Sequence, residues 1–125
     1  MNENEAGVLS ETVLDELRSS VQGDRAFVVD LIEAYLSDGE TQVSDVEAAL
    51  AAGDPAALVR PAHTLKSSSA TVGAERLASA ARALESAGRS GALDETVGAQ
   101  VARLRAAWRE AAEALRGWIA REDDQ

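Results

Sequence analysis

The sequence contains no cysteine, only two prolines and only 3 % aromatic residues. The missing cysteines exclude disulfide scaffolds, thiolate metal sites and cysteine nucleophiles, and they are compatible with a reducing cytoplasm. The first seven residues lack the basic start and apolar stretch of a signal peptide, and no apolar run is long enough to span a bilayer. These absences predict a soluble, cytoplasmic chain.

Motifs for nucleotide and metal chemistry are also missing. The chain has no glycine-rich phosphate loop, no Walker-type lysine and no pair of carboxylates at metal-binding spacing. We therefore expect no cofactor and neither an ATP-dependent kinase nor an autonomous phosphatase. A formal net charge of −10 argues against nucleic acid or an anionic membrane as the main partner, because both attract clustered lysine and arginine.

What the chain does contain is material for helices around one core. Hydrophobic residues make up 46 % and charged residues 27 % of its 125 residues, which suits a single packed domain. Long stretches of Ala, Leu, Val, Glu and Arg favour helices over sheets. We predict one domain over residues 10–121, between a flexible N-terminus at 1–9 and a frayed C-terminus at 122–125.

Glycines and helix-capping residues divide this domain into five helical segments. A short accessory helix from Ser10 to Gly23 precedes four longer helices. The first three of these span about 24–52, 55–72 and 74–87. The fourth follows a loop at 88–93 and runs toward the C-terminus. Apolar residues recur in these four helices at steps of three and four, and we predict that the following side chains are buried: Val29, Ile32, Leu36, Gly39, Val43, Val46 and Leu50; Leu58, Ala62, Leu65, Ser69 and Val72; Leu77, Ala80 or Ala81, and Leu84; Val97, Val101, Leu104, Trp108, Ala111, Leu115 and Trp118. The fold class is therefore all-α, an antiparallel four-helix bundle with one short accessory N-terminal helix.

The only histidine, His63, lies beside the predicted core stripe of its helix. A turn of about 100° per residue places it on one face with Arg60, Lys66 and Ser67. Imidazole titrates near neutral pH, and its lone pair can attack phosphorus. Lys66 would meet the new phosphoryl oxygens, and the Ser67 hydroxyl could donate a further hydrogen bond. On spacing alone, an ordinary solvated histidine is the more common alternative.

The neighbouring residues change that balance. The run Ala62-His-Thr-Leu-Lys-Ser-Ser-Ser-Ala-Thr-Val-Gly-Ala74, followed by Leu77 and by Leu84-Glu85, closely resembles the signature of histidine-containing phosphotransfer (HPt) domains of bacterial two-component phosphorelays. The resemblance implies that His63 accepts a phosphoryl group from the aspartate of a response-regulator receiver domain and passes it reversibly to another receiver. It further implies that Lys66 is the electrostatic partner of that group.

The same resemblance implies that Glu85 hydrogen-bonds the inner ring nitrogen and orients the imidazole. An ordinary surface lysine and glutamate are the alternatives for Lys66 and Glu85. The receiver would bring the aspartyl phosphate and its Mg²⁺, so the expected partners are receiver domains and a hybrid sensor histidine kinase, with this chain a monomer.

Two residues depart from the family pattern. Ser67 stands four residues after the histidine, where the family most often has glycine. Its hydroxyl could bond back to the carbonyl one turn earlier. Pro61 has no N–H and should kink the helix or remove one of its hydrogen bonds.

The start of the second helix has more apolar side chains than one bundle face needs. Phe27, Val28, Leu31 and Tyr35 supplement its core stripe, and either the accessory helix covers them or they contact a receiver together with Arg60 and Ser67. A non-catalytic helical adaptor or oligomerisation module, with the apolar stripes building a dimer, is the alternative function. A metal-binding bundle is poorly supported because a single histidine gives too few ligands.

Overall fold

Four helices connected by short loops form the core of the computed structural model, which describes Asp15, Ser19 and residues 25–123. Their bounds are Arg25–Ala52 (α1), Ala56–Thr71 (α2), Glu75–Ser90 (α3) and Glu95–Asp123 (α4). Each helix packs on the next along the chain, and α1 also packs on α4. The described residues contain no strand. This arrangement confirms the predicted all-α antiparallel four-helix bundle.

The predicted accessory helix at 10–23 lies almost wholly outside the described residues. Asp15 and Ser19 are the described residues of that segment, and both are helical.

Helices α1 and α2 end in the same hydrogen-bonded motif. After α1, the N–H of Gly53 bonds to the carbonyl of Leu50 and that of Asp54 to Ala49, both at 3.0 Å. After α2, Gly73 N–H bonds to Ala70 O at 3.1 Å, and the next N–H reaches back to Ser69 O. The two glycines have φ of +65° and +80°, a left-handed conformation that favours glycine. The sharp reversals set consecutive helices antiparallel.

Asp54 and Pro55 lead into α2. Asp54 Oδ1 accepts a hydrogen bond from the backbone N–H of Ala57 at 3.3 Å, which satisfies one of the free donors of a helix start. Pro55 already has helical dihedral angles, φ −63° and ψ −34°. Its lack of an N–H costs nothing there.

The predicted core is confirmed throughout α2 and α4, where every named residue is buried, and in α3 the buried choice is Ala81. In α1 the buried stripe differs from the predicted one at three positions, each by one residue. The buried residues there are Val28, Tyr35 and Ala49, whereas the predicted ones are only half-buried: Val29, Leu36 and Leu50.

Tyr35 shows why this register is preferred. Its hydroxyl makes a hydrogen bond of 2.8 Å with the Oγ of the buried Ser69, and its ring packs edge-on against Trp108, with centroids 5.5 Å apart. Burial raises the pKa of Tyr35 to about 12, although the Ser69 hydrogen bond acts in the opposite direction. Tyr35 therefore ties α1 to both α2 and α4, which Leu36 could not do.

Gly39 is a close-packing point between α1 and α4. A Cβ atom at this position would overlap the indole ring of Trp108. Glycine in a helix interior costs about 1 kcal/mol relative to alanine, and here the missing side chain gives the Trp108 ring its space. The indole Nε1 then donates to Glu40 Oε2 at 2.7 Å.

The expectation that α3 ends before Gly88 is wrong. The helix continues to Ser90, and Gly91, with φ +77°, ends it. A Cβ at Gly88 would lie 2.8 Å from the carbonyl oxygen of Pro55 and 2.9 Å from Val59 Cγ2. Gly88 is therefore a contact glycine that lets α3 approach the start of α2 closely, and this contact sets the distance between the two helices that carry the site.

Candidate functional site

His63 lies on the outer side of α2 with its ring held from α3. Its side chain is 56 % exposed. The ring Nδ1 lies 2.9 Å from Glu85 Oε2, and Nε2 has no hydrogen-bond partner among the described residues. The imidazole is thus fixed at one nitrogen and open at the other.

Glu85 is the buried centre of the site. Its side chain is only 8 % exposed, and it accepts hydrogen bonds from three residues. The Lys66 hydrogen bond is the largest cause that lowers the pKa of Glu85 to about 2, followed by the Arg89 hydrogen bond, while burial opposes the shift and His63 adds to it. The carboxylate is therefore ionised at neutral pH.

This charge state determines the tautomer of His63. An ionised carboxylate can only accept hydrogen bonds, so Nδ1 must carry the proton that bonds to Glu85. In the neutral ring the lone pair then lies on Nε2. The arrangement leaves the outward nitrogen with a free lone pair.

Lys66 lies one helical turn after His63 and shares the same carboxylate. Its Nζ donates to Glu85 Oε1 at 2.6 Å, and its side chain is 29 % exposed. The structure thus brings His63, Lys66 and Glu85 together, as the resemblance implied. Because an ammonium has three donors, Lys66 can keep this bond and still meet an oxygen bound at Nε2.

Arg89 is a part of the site that the sequence analysis did not identify. Its Nε and a terminal nitrogen donate to Glu85 Oε2 at 3.2 and 2.7 Å. The signal was the spacing of four residues between Glu85 and Arg89 on one helix, a common ion-pair spacing. Such pairs usually lie on exposed surfaces, and only the burial of Glu85 distinguishes this one.

The two residues that depart from the family pattern both lie on α2. The helix runs through Pro61 without interruption, and Ser67 is exposed. Three other hydroxyls on α2 donate hydrogen bonds to the backbone carbonyl one turn earlier: those of Thr64, Ser68 and Thr71. Arg60 is exposed on the turn before His63.

The apolar residues at the start of α1 divide into buried and exposed ones. Val28 is fully buried in the core and Tyr35 is 7 % exposed, so neither is available to a partner. This corrects the expectation for Val28, whose side chain points into the bundle. Phe27 and Leu31 are 52 % and 36 % exposed.

The exposed pair lies some distance from His63. The Tyr35–Ser69 contact sets the register of the antiparallel α1 and α2. At about 1.5 Å per residue, Leu31 is roughly 15 Å and Phe27 roughly 21 Å from His63 along the bundle axis. These side chains could reach only the margin of a partner centred on His63.

The described part of the chain contains neither a membrane-spanning helix nor a cluster of metal ligands. None of its helices is long and apolar enough to cross a membrane. Residues 25–121 bring together no group of three or more His, Asp or Glu side chains that could hold a metal ion.

Comparison with known proteins agrees with this geometry. The Hpt domain family model matches residues 30–118. The structure is similar to the crystal structure of histidine-containing phosphotransfer protein B (HptB) from Pseudomonas aeruginosa PAO1, with a TM-score of 0.83 and 27 % sequence identity over 93 % of this chain and 97 % of that one. No curated protein sequence matches the chain. Since the family model spans most of the bundle, this chain belongs to the Hpt domain family and is a phosphotransfer intermediate of a phosphorelay.

Proposed function

We propose that His63 is the residue that carries the phosphoryl group. The observation that supports this assignment is the bond between Nδ1 and the ionised Glu85, which leaves the lone pair on Nε2. Nε2 attacks the phosphorus of an aspartyl phosphate on a receiver domain. As the N–P bond forms, the bond from phosphorus to the aspartyl oxygen breaks, and the electron pair leaves with the aspartate carboxylate.

Glu85 and Lys66 act on the charges that this step creates. The ring becomes positive as Nε2 bonds to phosphorus, and the carboxylate at Nδ1 stabilises that charge. Lys66 compensates the negative phosphoryl oxygens. Transfer to a second receiver is the reverse of the same step, so the proton on Nδ1 never has to leave. Arg89 helps to hold Glu85 in place while Lys66 also donates to the phosphoryl oxygens.

This role needs no cofactor on the chain itself. The Mg²⁺ and the activated phosphoryl group come with the receiver, and the chain supplies nucleophile, orientation and a docking surface. We propose that the protein has no kinase or phosphatase activity of its own and acts as a monomer. Incubation with labelled ATP alone should leave it unlabelled, and sedimentation should give the mass of a single chain.

Phosphoryl transfer from a labelled receiver tests the assignment of His63. The wild-type chain should gain a label that acid removes and base does not, as expected for a phosphoramidate. The His63→Gln variant should gain none, while the exposed neighbour Thr64→Ala should label normally. Label that persists in His63→Gln at the wild-type rate would show that another residue is the acceptor.

A further inference from the structure

Charge is distributed very unevenly over the four helices. Helix α2 contains Arg60 and Lys66 and no acidic residue. Helix α3 has three arginines against Glu75 and Glu85. By contrast, α1 has six acidic residues and a single arginine. In a chain with a net charge of −10, the two helices that carry the His63 site therefore have a net positive charge.

The positive side chains surround His63 on both sides. Arg60 is exposed one turn before it on α2. On α3, Arg82 and Arg89 lie three and four residues from Glu85, which places them on the same helical face, and both are exposed. We call Arg60, Arg82 and Arg89 the basic rim.

Among the described residues no carboxylate pairs with Arg60 or Arg82, whereas Arg89 donates to Glu85. Because Glu85 is shared between Arg89 and Lys66, these three groups together still have a net positive charge. Glu75 lies about 15 Å from Glu85 along α3. The Tyr35–Ser69 contact puts Asp38 and Asp45 of α1 within about one turn of the level of His63, and both are exposed. The positive surface therefore ends at the α1 side.

The proposed donor has the opposite charge. An aspartyl phosphate is anionic, and a Mg²⁺ ion beside it is held by carboxylate and phosphate oxygens. The surface that presents such a group is therefore acidic, and opposite surface charges speed diffusional encounter and fix orientation.

We propose that the basic rim is an electrostatic docking surface for the acidic face of a receiver domain. The inference rests on the proposed function of His63. The rim attracts the receiver and orients its phosphoryl group toward Nε2, while the acidic α1 repels the same face. A receiver is thus guided onto α2 and α3 although the chain as a whole is strongly negative.

Charge reversal at matched positions tests the proposal. The double variant Arg60→Glu/Arg82→Glu changes the rim and leaves the residues that hold His63 intact. The control is Arg103→Glu/Arg116→Glu on α4, which makes the same change in net charge at two exposed residues. The measurement is the second-order rate constant of phosphoryl transfer from a phosphorylated receiver at low and high salt.

At about 0.02 M salt, where charges act over about 20 Å, the rim variant should react at least 10-fold more slowly than wild type. At about 0.5 M salt the difference should fall to about twofold, because the Debye length is then only about 4 Å. The control should stay within about twofold of wild type at both salt concentrations.

Two results would overturn the proposal. One is a rim variant that stays within twofold of wild type at low salt. The other is a control that loses as much rate as the rim variant, since net charge would then explain the effect. Helical circular dichroism and the melting temperature establish that the variants are folded. If reversal unfolds the chain, Arg60→Gln/Arg82→Gln should give a smaller loss in the same direction.

Labelling of the wild-type chain by the phosphorylated receiver distinguishes failure of the His63 assignment from failure of the basic-rim proposal. Wild type that takes no label from the receiver contradicts the assignment of His63. Wild type that labels normally beside an equally fast rim variant contradicts the basic rim alone.

Discussion

Two charged clusters join neighbouring helices of this bundle, and they have opposite charges at their centres. Between α2 and α3, the single carboxylate of Glu85 accepts hydrogen bonds from Lys66, Arg89 and His63. Between α1 and α4, the single guanidinium of Arg105 donates to Glu40 and Glu47 at distances of 3.0 Å and below. Both clusters are built from ordinary charge-assisted hydrogen bonds.

The clusters differ in whether every nitrogen of their cationic or imidazole groups has a hydrogen-bond partner. At Arg105 all three guanidinium nitrogens donate, and Glu40 also accepts from Trp108. At Glu85 one of the three donors is an imidazole, whose second nitrogen has no partner among the described residues. Ion pairing alone therefore does not distinguish a functional cluster from a structural one. The Glu85 cluster differs in that it orients the imidazole which we propose to be the phosphoryl acceptor.

Removal of the Glu85 carboxylate should have the largest effect. Glu85→Ala should slow phosphoryl transfer to His63 by about 10- to 100-fold, by analogy with the loss of a hydrogen-bond partner that orients a metal-bound histidine. The fold should persist, because Lys66 and Arg89 can both reach solvent. Glu85→Gln should recover part of the rate, since its amide oxygen can still accept a hydrogen bond from Nδ1–H.

Labelling rates and ¹⁵N spectra of the imidazole would measure this effect and the tautomer together. A Glu85→Ala chain with the wild-type rate and the same tautomer would remove the functional distinction between the clusters.

The next largest effect is expected from a side chain added at Gly88. Gly88→Ala would force a methyl group against the Pro55 carbonyl and Val59. Such overpacking typically costs about 1–3 kcal/mol of folding free energy. Because α3 would move away from α2, the His63–Glu85 bond should lengthen and transfer should slow as well.

Gly98→Ala is the matched control, since a Cβ there meets nothing within 4 Å. It should be neutral or raise the melting temperature slightly. Gly39→Ala, at the α1–α4 contact with Trp108, should destabilise the fold but leave transfer by the folded protein unchanged. Equal effects of Gly88→Ala and Gly39→Ala on the transfer rate would argue against a separate role for the α2–α3 contact.

A smaller effect is expected from Arg105→Gln. Glu40 and Glu47 are 55 % and 40 % exposed, so solvent screens both pairs. Loss of the guanidinium should lower the free energy of unfolding by about 1 kcal/mol, measurable by urea denaturation. The transfer rate should stay within about twofold of wild type. A larger loss of rate would show that the α1–α4 cluster affects the site as well.

The smallest expected effect is that of acid on the stability that the Glu85 cluster contributes. The pKa of Glu85 is about 2 in the folded protein, below its ordinary value of 4.5, so the ionised form favours folding. That stabilisation is complete above about pH 4.5 and is lost as the pH falls through 2. The melting-temperature difference between wild type and Glu85→Gln should therefore shrink over this interval. A difference that stays constant from pH 6 to pH 2 would contradict the lowered pKa.

The sequence predicted the bundle well where its apolar pattern was unambiguous. In α4 the three-four stripe is formed mainly by large residues, such as Leu104 and Trp108, whose neighbours are polar or small, so only one register buries them. In α1 apolar residues occur in adjacent pairs. Whether Tyr35 or Leu36 is buried depends on Ser69 and Trp108, which lie on other helices.

The same limit applies to Gly88 and Arg89. A glycine near the end of a helical pattern is typical both of a helix end and of a close contact, and the sequence does not show that Pro55 and Val59 lie opposite. Helical spacing already made His63 and Lys66 candidates, and the resemblance to a known family added Glu85. That resemblance left out Arg89, because an ion pair four residues apart becomes informative only when its carboxylate is known to be buried.

The orientation of His63 has a further consequence for signalling. A ring fixed at Nδ1 offers one nitrogen, and one nitrogen can hold one phosphoryl group. Receivers that exchange phosphoryl groups with this chain must therefore take turns, and each excludes the others while it is docked. Under the proposed function, the number of phosphoryl groups held on this protein at one time cannot exceed its number of copies.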